Sequence, residues 1–423
     1  MDLKTKINDY IHKNKNKAIE LLQNLVREKS VSGNEAGAQK IITNYLQNLG
    51  LVIDRFEPSI EELTKSSYFI SERTSFEDSP NIVAILKGTG NGRSIILNGH
   101  IDVVPEGEIS SWERHPYSGE IIGNRLYGRG TTDMKGGNVA ALFAIEAIKK
   151  CNIPLKGDLY FESVIEEESG GAGTLATILR GYEADAVLIP EPTKMKIFPK
   201  QQGSVWFRVK VKGKVAHGGT RYEGVSAIEK SIMVINHINQ LEKVRNTRLL
   251  DDPLYKNVPI PIPINIGKIN GGTWPSSVSD LVTLEGRLGV SPNETIEEAK
   301  LEITRWLKTL SLMDDWFIEN PVEIEFFGAR WLPGSIDLGH PFMESLKKSY
   351  QNVYKNEPII EASPWGTDGG LFTQIKQIPT IVFGPGETKV AHYPNEYIDL
   401  DELFRCAEVI AHTLLDWCGV DEK

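Results

Sequence analysis

Three cysteines in 423 residues, Cys151, Cys406 and Cys418, are too few, too widely spaced and odd in number. That excludes a disulfide scaffold, and the lack of any C-x-x-C pair excludes a cysteine-based zinc or redox motif. No apolar run approaches the roughly 18 to 20 residues of a membrane span, and the best stretch, Val139 to Ile145, is far too short. Basic charge is also scarce: 47 Lys and Arg against 57 Asp and Glu give a net charge of −10, which disfavours a nucleic-acid partner. The N-terminus has Lys4, Lys6, Lys13, Lys15 and Lys17 among polar residues and no apolar signal core, so the expected location is the cytoplasm. There is no Gly-x-Ser-x-Gly elbow, which argues against a serine hydrolase. What remains is an ordinary globular composition, 40% apolar and 25% charged, of a length that favours two or three cores over one.

The first half alternates helical and extended patterns, the mark of an α/β layer architecture. Ala18, Leu21, Leu22, Leu25 and Val26 recur at helical spacing, as do Ala38, Ile41, Ile42, Tyr45 and Leu49. Extended runs are expected at 51–56, 81–87, 94–97, 158–165 and 186–189, with an apolar helix over 139–148. The glycine-rich 88–94 segment lacks phosphate-loop spacing and reads as a hairpin turn between its flanking strands.

From Ser204 the pattern changes. Val205, Phe207, Val209 and Val211 alternate with Trp206, Arg208, Lys210 and Lys212, a strand with one solvated face. A helix, two strands, a helix and a strand follow, the βαββαβ order of a ferredoxin-like unit. After it the chain returns to buried α/β, with a strand at 379–383 and a helix over 400–417. The expected architecture is a mixed-sheet α/β catalytic domain, 1–202 and 329–423, interrupted by an inserted α+β domain, 203–328.

Acidic residues and histidines follow several strand-like runs, where open α/β sheets place their ligands. They lie in Leu97 through Pro105 (LNGHIDVVP), Gly128 through Gly137 (GRGTTDMKGG), Val164 through Gly171 (VIEEESGG) and Ile189 through Thr193 (IPEPT). A fifth group, Gly384 through Asn395 (GPGETKVAHYPN), follows the late strand. Imidazole nitrogen with carboxylate oxygen suits Zn²⁺, with Co²⁺ or Mn²⁺ as alternatives, and so many donors suit two ions about 3.5 to 4 Å apart. In His100-Ile101-Asp102 the outer side chains share one side of an extended segment, so Asp102 is expected to hold the imidazole N–H. Taken singly, Asp133 would read as a helix cap and His392 as a surface histidine.

Together, and in this order over nearly the whole chain, these motifs resemble those of the dinuclear zinc amidohydrolases and peptidases. That family includes acetylornithine deacetylase, succinyl-diaminopimelate desuccinylase, aminoacylase and carboxypeptidase G. The resemblance implies metal ligation by His100, Asp133 (bridging), Glu168, Glu191 and His392. It implies Glu167 as general base, Asp102 as the partner of His100, and Glu166 in place of the usual aspartate. His217 would donate to the oxyanion from a partner subunit, making the inserted domain a lid and dimerisation domain of a homodimer. Arg287, which resembles the arginine that family members aim at a substrate carboxylate, and Gly366 and Thr367, in a segment resembling the family's substrate-carboxylate loop, would contact substrate, while Gly370 stands where many relatives carry arginine. The implied activity is hydrolysis of a small N-acyl amino acid, acetylornithine deacetylase-like, with desuccinylase, formylaminopyrimidine deformylase and dipeptidase as alternatives. A catalytically silent binding protein on this fold would be expected to have lost Glu167 or a ligand, and all are present. Asp133, Glu166, Glu167, Glu168 and Glu191 thus account for part of the acidic excess, which two dications would offset.

Overall fold

The computed structural model of the protein describes residues 2–421. It divides into two compact units. The first takes Met1–Pro199, Ser335–Ile360 and Leu371–Lys423, and the second Lys200–Gly334 with Glu361–Gly370. The second unit is therefore wider than the alternation pattern implied. It reclaims a ten-residue return segment that carries no periodic signal of its own.

The first unit is built on a mixed sheet. Its strands run in the order Val52–Phe56, Asn81–Leu86, Leu159–Val164, Ile95–His100, Val187–Ile189 and Thr380–Val382. The last four are mutually parallel and the first two pair antiparallel. The four parallel strands are buried almost throughout, which is why they read as largely apolar runs, whereas Val52–Phe56 at the edge is partly exposed. The helix Gly136–Lys150 is buried from Gly136 to Ile148, and Leu400–Cys418 is buried along most of its length.

The hairpin expected at 88–94 is not formed. Strand Leu159–Val164 lies between the two strands this segment connects, pairing antiparallel with one and parallel with the other. The loop's backbone bonds go instead to the chain entering that middle strand: Thr89 N–H donates to Leu155 O at 2.9 Å and Gly90 N–H to Lys156 O at 2.9 Å. Turn composition marks a change of direction but not which strand becomes the neighbour. The helix Leu3–Lys13 was also not anticipated, because only Ile7 and Ile11 are buried on a face otherwise crowded with charge.

The second unit carries a four-stranded antiparallel sheet in the order Ile264–Gly271, Leu281–Val290, Gly203–Lys212, Glu323–Trp331. With helices Ala227–Thr247 and Ile296–Lys308, this is the ferredoxin-like βαββαβ arrangement. The alternation in its first strand is realised as Val205, Phe207, Val209 and Val211 buried, with Lys210 and Lys212 exposed.

Candidate active site

The four adjacent parallel strands of the first unit deliver side chains to one edge of the sheet, beyond their C-terminal ends. His100 is the last residue of its strand, Glu167 and Glu168 follow Val164, Glu191 follows Ile189, and His392 lies on the loop after Val382. Asp133 comes from the turn ahead of helix Gly136–Lys150, joined to Met134 by a cis peptide bond.

The geometry centres on Asp133. Its Oδ1 lies 3.1 Å from Nε2 of His100, and its Oδ2 lies 3.3 Å from Nε2 of His392. The His100 Nε2 is also 3.4 Å from Glu191 Oε1, and the His392 Nε2 is 3.1 Å from Glu168 Oε1. One carboxylate thus separates two imidazole–glutamate pairs, each pair facing its own oxygen. Ligands about 2.0 to 2.1 Å from a tetrahedral ion stand roughly 3.3 Å from one another, so these spacings fit two ions sharing Asp133. Donor atoms of His100, Asp133 and Glu168, and separately of His100, Glu167 and Glu191, lie within 4.8 Å of each other. The residues present therefore fit a pair of divalent cations.

The electrostatics agree. Burial alone would push the His100 imidazole down, but Glu191, Asp133 and Asp102 raise its pKa well above the usual value. At His392 burial is likewise outweighed, by the carboxylates of Glu168 and Asp133. Glu191 is raised by burial and by the charge of Asp133.

Asp102 behaves differently from the expectation. The His100 Nδ1 is 2.8 Å from the main-chain carbonyl of Asp102, while the carboxylate stands 3.7 Å away. The carboxylate instead accepts the backbone N–H groups of Glu167 at 3.3 Å and Glu168 at 3.1 Å. In this extended segment the carbonyl is the nearer acceptor, which frees the side chain to cap the glutamate turn. Glu166 stands beside the cluster of proposed ligands, its carboxylate held by Ser32, Ser71 and Arg73.

Two supporting residues escaped the sequence reading. Arg129 Nη1 donates to Glu396 Oε2 at 2.6 Å, and both are buried. The other Glu396 oxygen accepts N–H bonds from Thr132 at 2.9 Å and Asp133 at 3.2 Å. Arg129 Nη2 also donates to the His392 carbonyl at 3.3 Å. A small sheet brings them together by pairing Tyr397–Asp399 with Arg125–Tyr127. The available signal was an arginine between two glycines and a glutamate four residues after His392.

The remaining predicted residues belong to the second unit. His217 is exposed, and its Nδ1 accepts the Gly219 N–H at 3.1 Å, leaving Nε2 to carry the proton of the neutral ring. Arg287 lies between Trp206 and Asn265 across the sheet, and burial pushes its guanidinium down to about 10. Thr367 donates its hydroxyl to Gln201 Oε1 at 2.6 Å and accepts from Gly369 N–H, so its side chain is committed internally. Beside Gly366, at Gly370, an added Cβ would lie 1.9 Å from the Leu332 carbonyl oxygen.

Residues 96–416, from the strand bearing His100 to the helix after His392, match the family described as peptidase family M20/M25/M40. The chain belongs to that family. Among its M20 relatives is N-formyl-4-amino-5-aminomethyl-2-methylpyrimidine deformylase of Bacillus subtilis (strain 168), 32% identical, with 97% of this chain and 96% of that protein covered. Acetylornithine deacetylase of Erwinia tasmaniensis is 28% identical over 78% of this chain and 82% of its own length. The M20 fold is also that of the di-peptidase Dug1p from Saccharomyces cerevisiae, with a TM-score of 0.75, 16% identity and complete coverage of both chains. The protein is thus an M20 hydrolase of the kind that acts on amide bonds.

Proposed function

We propose that this protein is a dinuclear metal amidohydrolase that removes a formyl group from an aminomethyl-pyrimidine or a closely similar uncharged heteroaromatic amine. The observation that carries the reading is Gly370. Where many relatives carry an arginine, the Leu332 carbonyl leaves no room for any side chain. The named deformylase relative supports the same choice, since the substrate in its name has no carboxylate. An N-acetyl amino acid, the first expectation from sequence, is the second reading and draws on the deacetylase relative.

In the proposed mechanism His100, Asp133, Glu168, Glu191 and His392 hold two divalent ions, zinc first and cobalt or manganese as alternatives. When bound, such ions polarise the scissile carbonyl and bring the pKa of water towards neutrality. Glu167 takes the proton of the attacking water and passes it to the leaving amine. Asp102 keeps Glu167 and Glu168 in register through the two N–H bonds. His217, whose Nε2–H is left as a donor, stabilises the oxyanion from a second copy of the chain, with the inserted unit as lid and dimerisation domain. Loss of such a donor typically costs about 2.7 to 4 kcal/mol. Arg287 and the main chain of the 366–367 loop contact the substrate, the Thr367 hydroxyl holding that loop to Gln201. The setting is read as cytoplasmic, in keeping with three unbridged buried cysteines.

The test is a panel of N-formyl aminomethylpyrimidine, N-acetylornithine, N-succinyl-diaminopimelate and dipeptides, assayed with added Zn²⁺ or Co²⁺. The expected outcome is a kcat/KM for the formylpyrimidine at least 100-fold above the others. A higher value for N-acetylornithine overturns the substrate assignment.

A further inference from the structure

Residues 57–80 form a long connection between two strands of the first unit, and from Thr64 to Pro80 it contains no helix or strand. It is nonetheless anchored, with Leu63 and Phe76 buried. Its most specific attachments converge on Glu166, the residue immediately before Glu167 and Glu168. Ser71 donates its hydroxyl to Glu166 Oε2 at 2.9 Å, and Ser32 donates to Oε1. Arg73 Nη1 lies 3.5 Å from Glu166 Oε1 and 3.3 Å from Glu35 Oε1. Its Nη2 donates to Ser79 Oγ at 2.8 Å, and Ser79 in turn donates to Glu35 Oε2 at 2.7 Å. Glu35 and Glu166 are fully buried, so this one guanidinium serves two carboxylates removed from water.

The backbone explains why this matters. Glu166 adopts φ 62° and ψ 24°, a left-handed conformation that residues with a Cβ disfavour, and this turn launches Glu167 and Glu168. Were Glu166 to relax to ordinary angles, both following side chains would be redirected. On the far side of the turn, Ile70 packs against Gly170, where an added Cβ would lie 2.8 Å from Ile70 Cγ2 and 3.0 Å from its carbonyl oxygen. The same connection thus grips both ends of the glutamate turn. An aspartate at 166, shorter by one methylene of about 1.5 Å, would draw the carboxylate back from the two hydroxyls.

We propose that Arg73, with Ser71 and Ser32, is a positioning residue that acts through Glu166 to aim Glu167 and Glu168, and that this is the task of the 57–80 connection. The inference rests on the reading of Glu167 as base and Glu168 as metal ligand.

The experiment uses the full chain loaded with Co²⁺ and the variants Arg73→Met, Arg73→Lys, Ser71→Ala and Glu166→Asp. Their visible absorption spectra, cobalt affinities and, on the best amide substrate of the wild type, kcat and KM are measured. Arg73→Met and Glu166→Asp are expected to alter the cobalt spectrum, weaken one of the two cobalt sites at least fivefold, and lower kcat at least tenfold with KM within twofold. Arg73→Lys is expected to recover at least half of the wild-type kcat. A folded Arg73→Met with the wild-type spectrum and both affinities unchanged overturns the proposal. If Arg73→Met does not fold, Ser71→Ala, which removes one hydroxyl and no charge, decides: an altered spectrum supports the proposal and a wild-type spectrum overturns it. If the wild type hydrolyses none of the amides, the functional reading fails, while the cobalt spectrum still judges the positioning role.

Discussion

Glu396 accepts the backbone N–H of Asp133 at 3.2 Å with one carboxylate oxygen while the other pairs with Arg129 at 2.6 Å. The backbone of the central carboxylate of the site is therefore held by Glu396, from a distant part of the chain, which pairs with the nearby Arg129 in a buried ion pair. Removing one member of a buried pair typically costs about 3 to 5 kcal/mol, because the other is left charged and unpaired. Arg129→Met is expected to lower the melting temperature markedly and to weaken metal binding. Thermal melts with and without Zn²⁺ check this, and a double variant with Glu396→Leu is expected to recover part of the loss.

Glu167→Gln is expected to bind two metal ions per chain as the wild type does and to lose turnover by roughly 10²- to 10⁴-fold, the usual contribution of a general base. Metal analysis and steady-state assays on the same preparation test both halves of the statement. Retention of a large share of activity would remove Glu167 from the mechanism.

Asp102→Ala removes the acceptor of the Glu167 and Glu168 N–H bonds while leaving the backbone carbonyl that faces His100. Supporting residues of this kind typically contribute 10- to 100-fold in metal affinity or activity. The loss is expected at the ion held by Glu168 rather than at both, which competition with a chromophoric chelator resolves.

Gly370→Arg would restore the side-chain type of many relatives, yet its Cβ has no space beside the Leu332 carbonyl. The variant is expected to be destabilised and to gain no activity on N-acetylornithine. Denaturant titration and the substrate panel measure the two effects.

His412 gives a pH dependence away from the site. Burial, and secondarily Lys4, hold its imidazole down at about 4 against Asp416 and Asp2, which act to raise it, and its Nε2 lies 2.9 Å from Asn8 Oδ1. The folded pKa is below the ordinary value of 6.5, so between these limits the unfolded chain binds more protons. Stability is expected to fall as pH drops from about 6.5 to about 4. In His412→Leu the melting temperature should decline less over that window.

Much of this protein was determined by its sequence alone. Parallel strands buried on both faces are largely apolar, and the half-solvated strand at 203–212 alternates, so the strands of both sheets were legible in the apolar pattern. The motifs containing His100, Asp133, Glu167, Glu168, Glu191 and His392 were legible together and in order, although Asp133 alone reads as a helix cap and His392 as a surface histidine. Tertiary structure decided what depends on partners distant in the chain. The order of strands placed Leu159–Val164 where a hairpin was expected, since turn residues carry no information about which strand arrives next. The commitment of the Asp102 carboxylate to the Glu167 and Glu168 N–H groups, the pairing of Arg129 with Glu396, and the closure of Gly370 by Leu332 are matters of ångströms between residues well separated in sequence. Local composition fixes which chemistry is present, and only packing fixes which atoms of it meet.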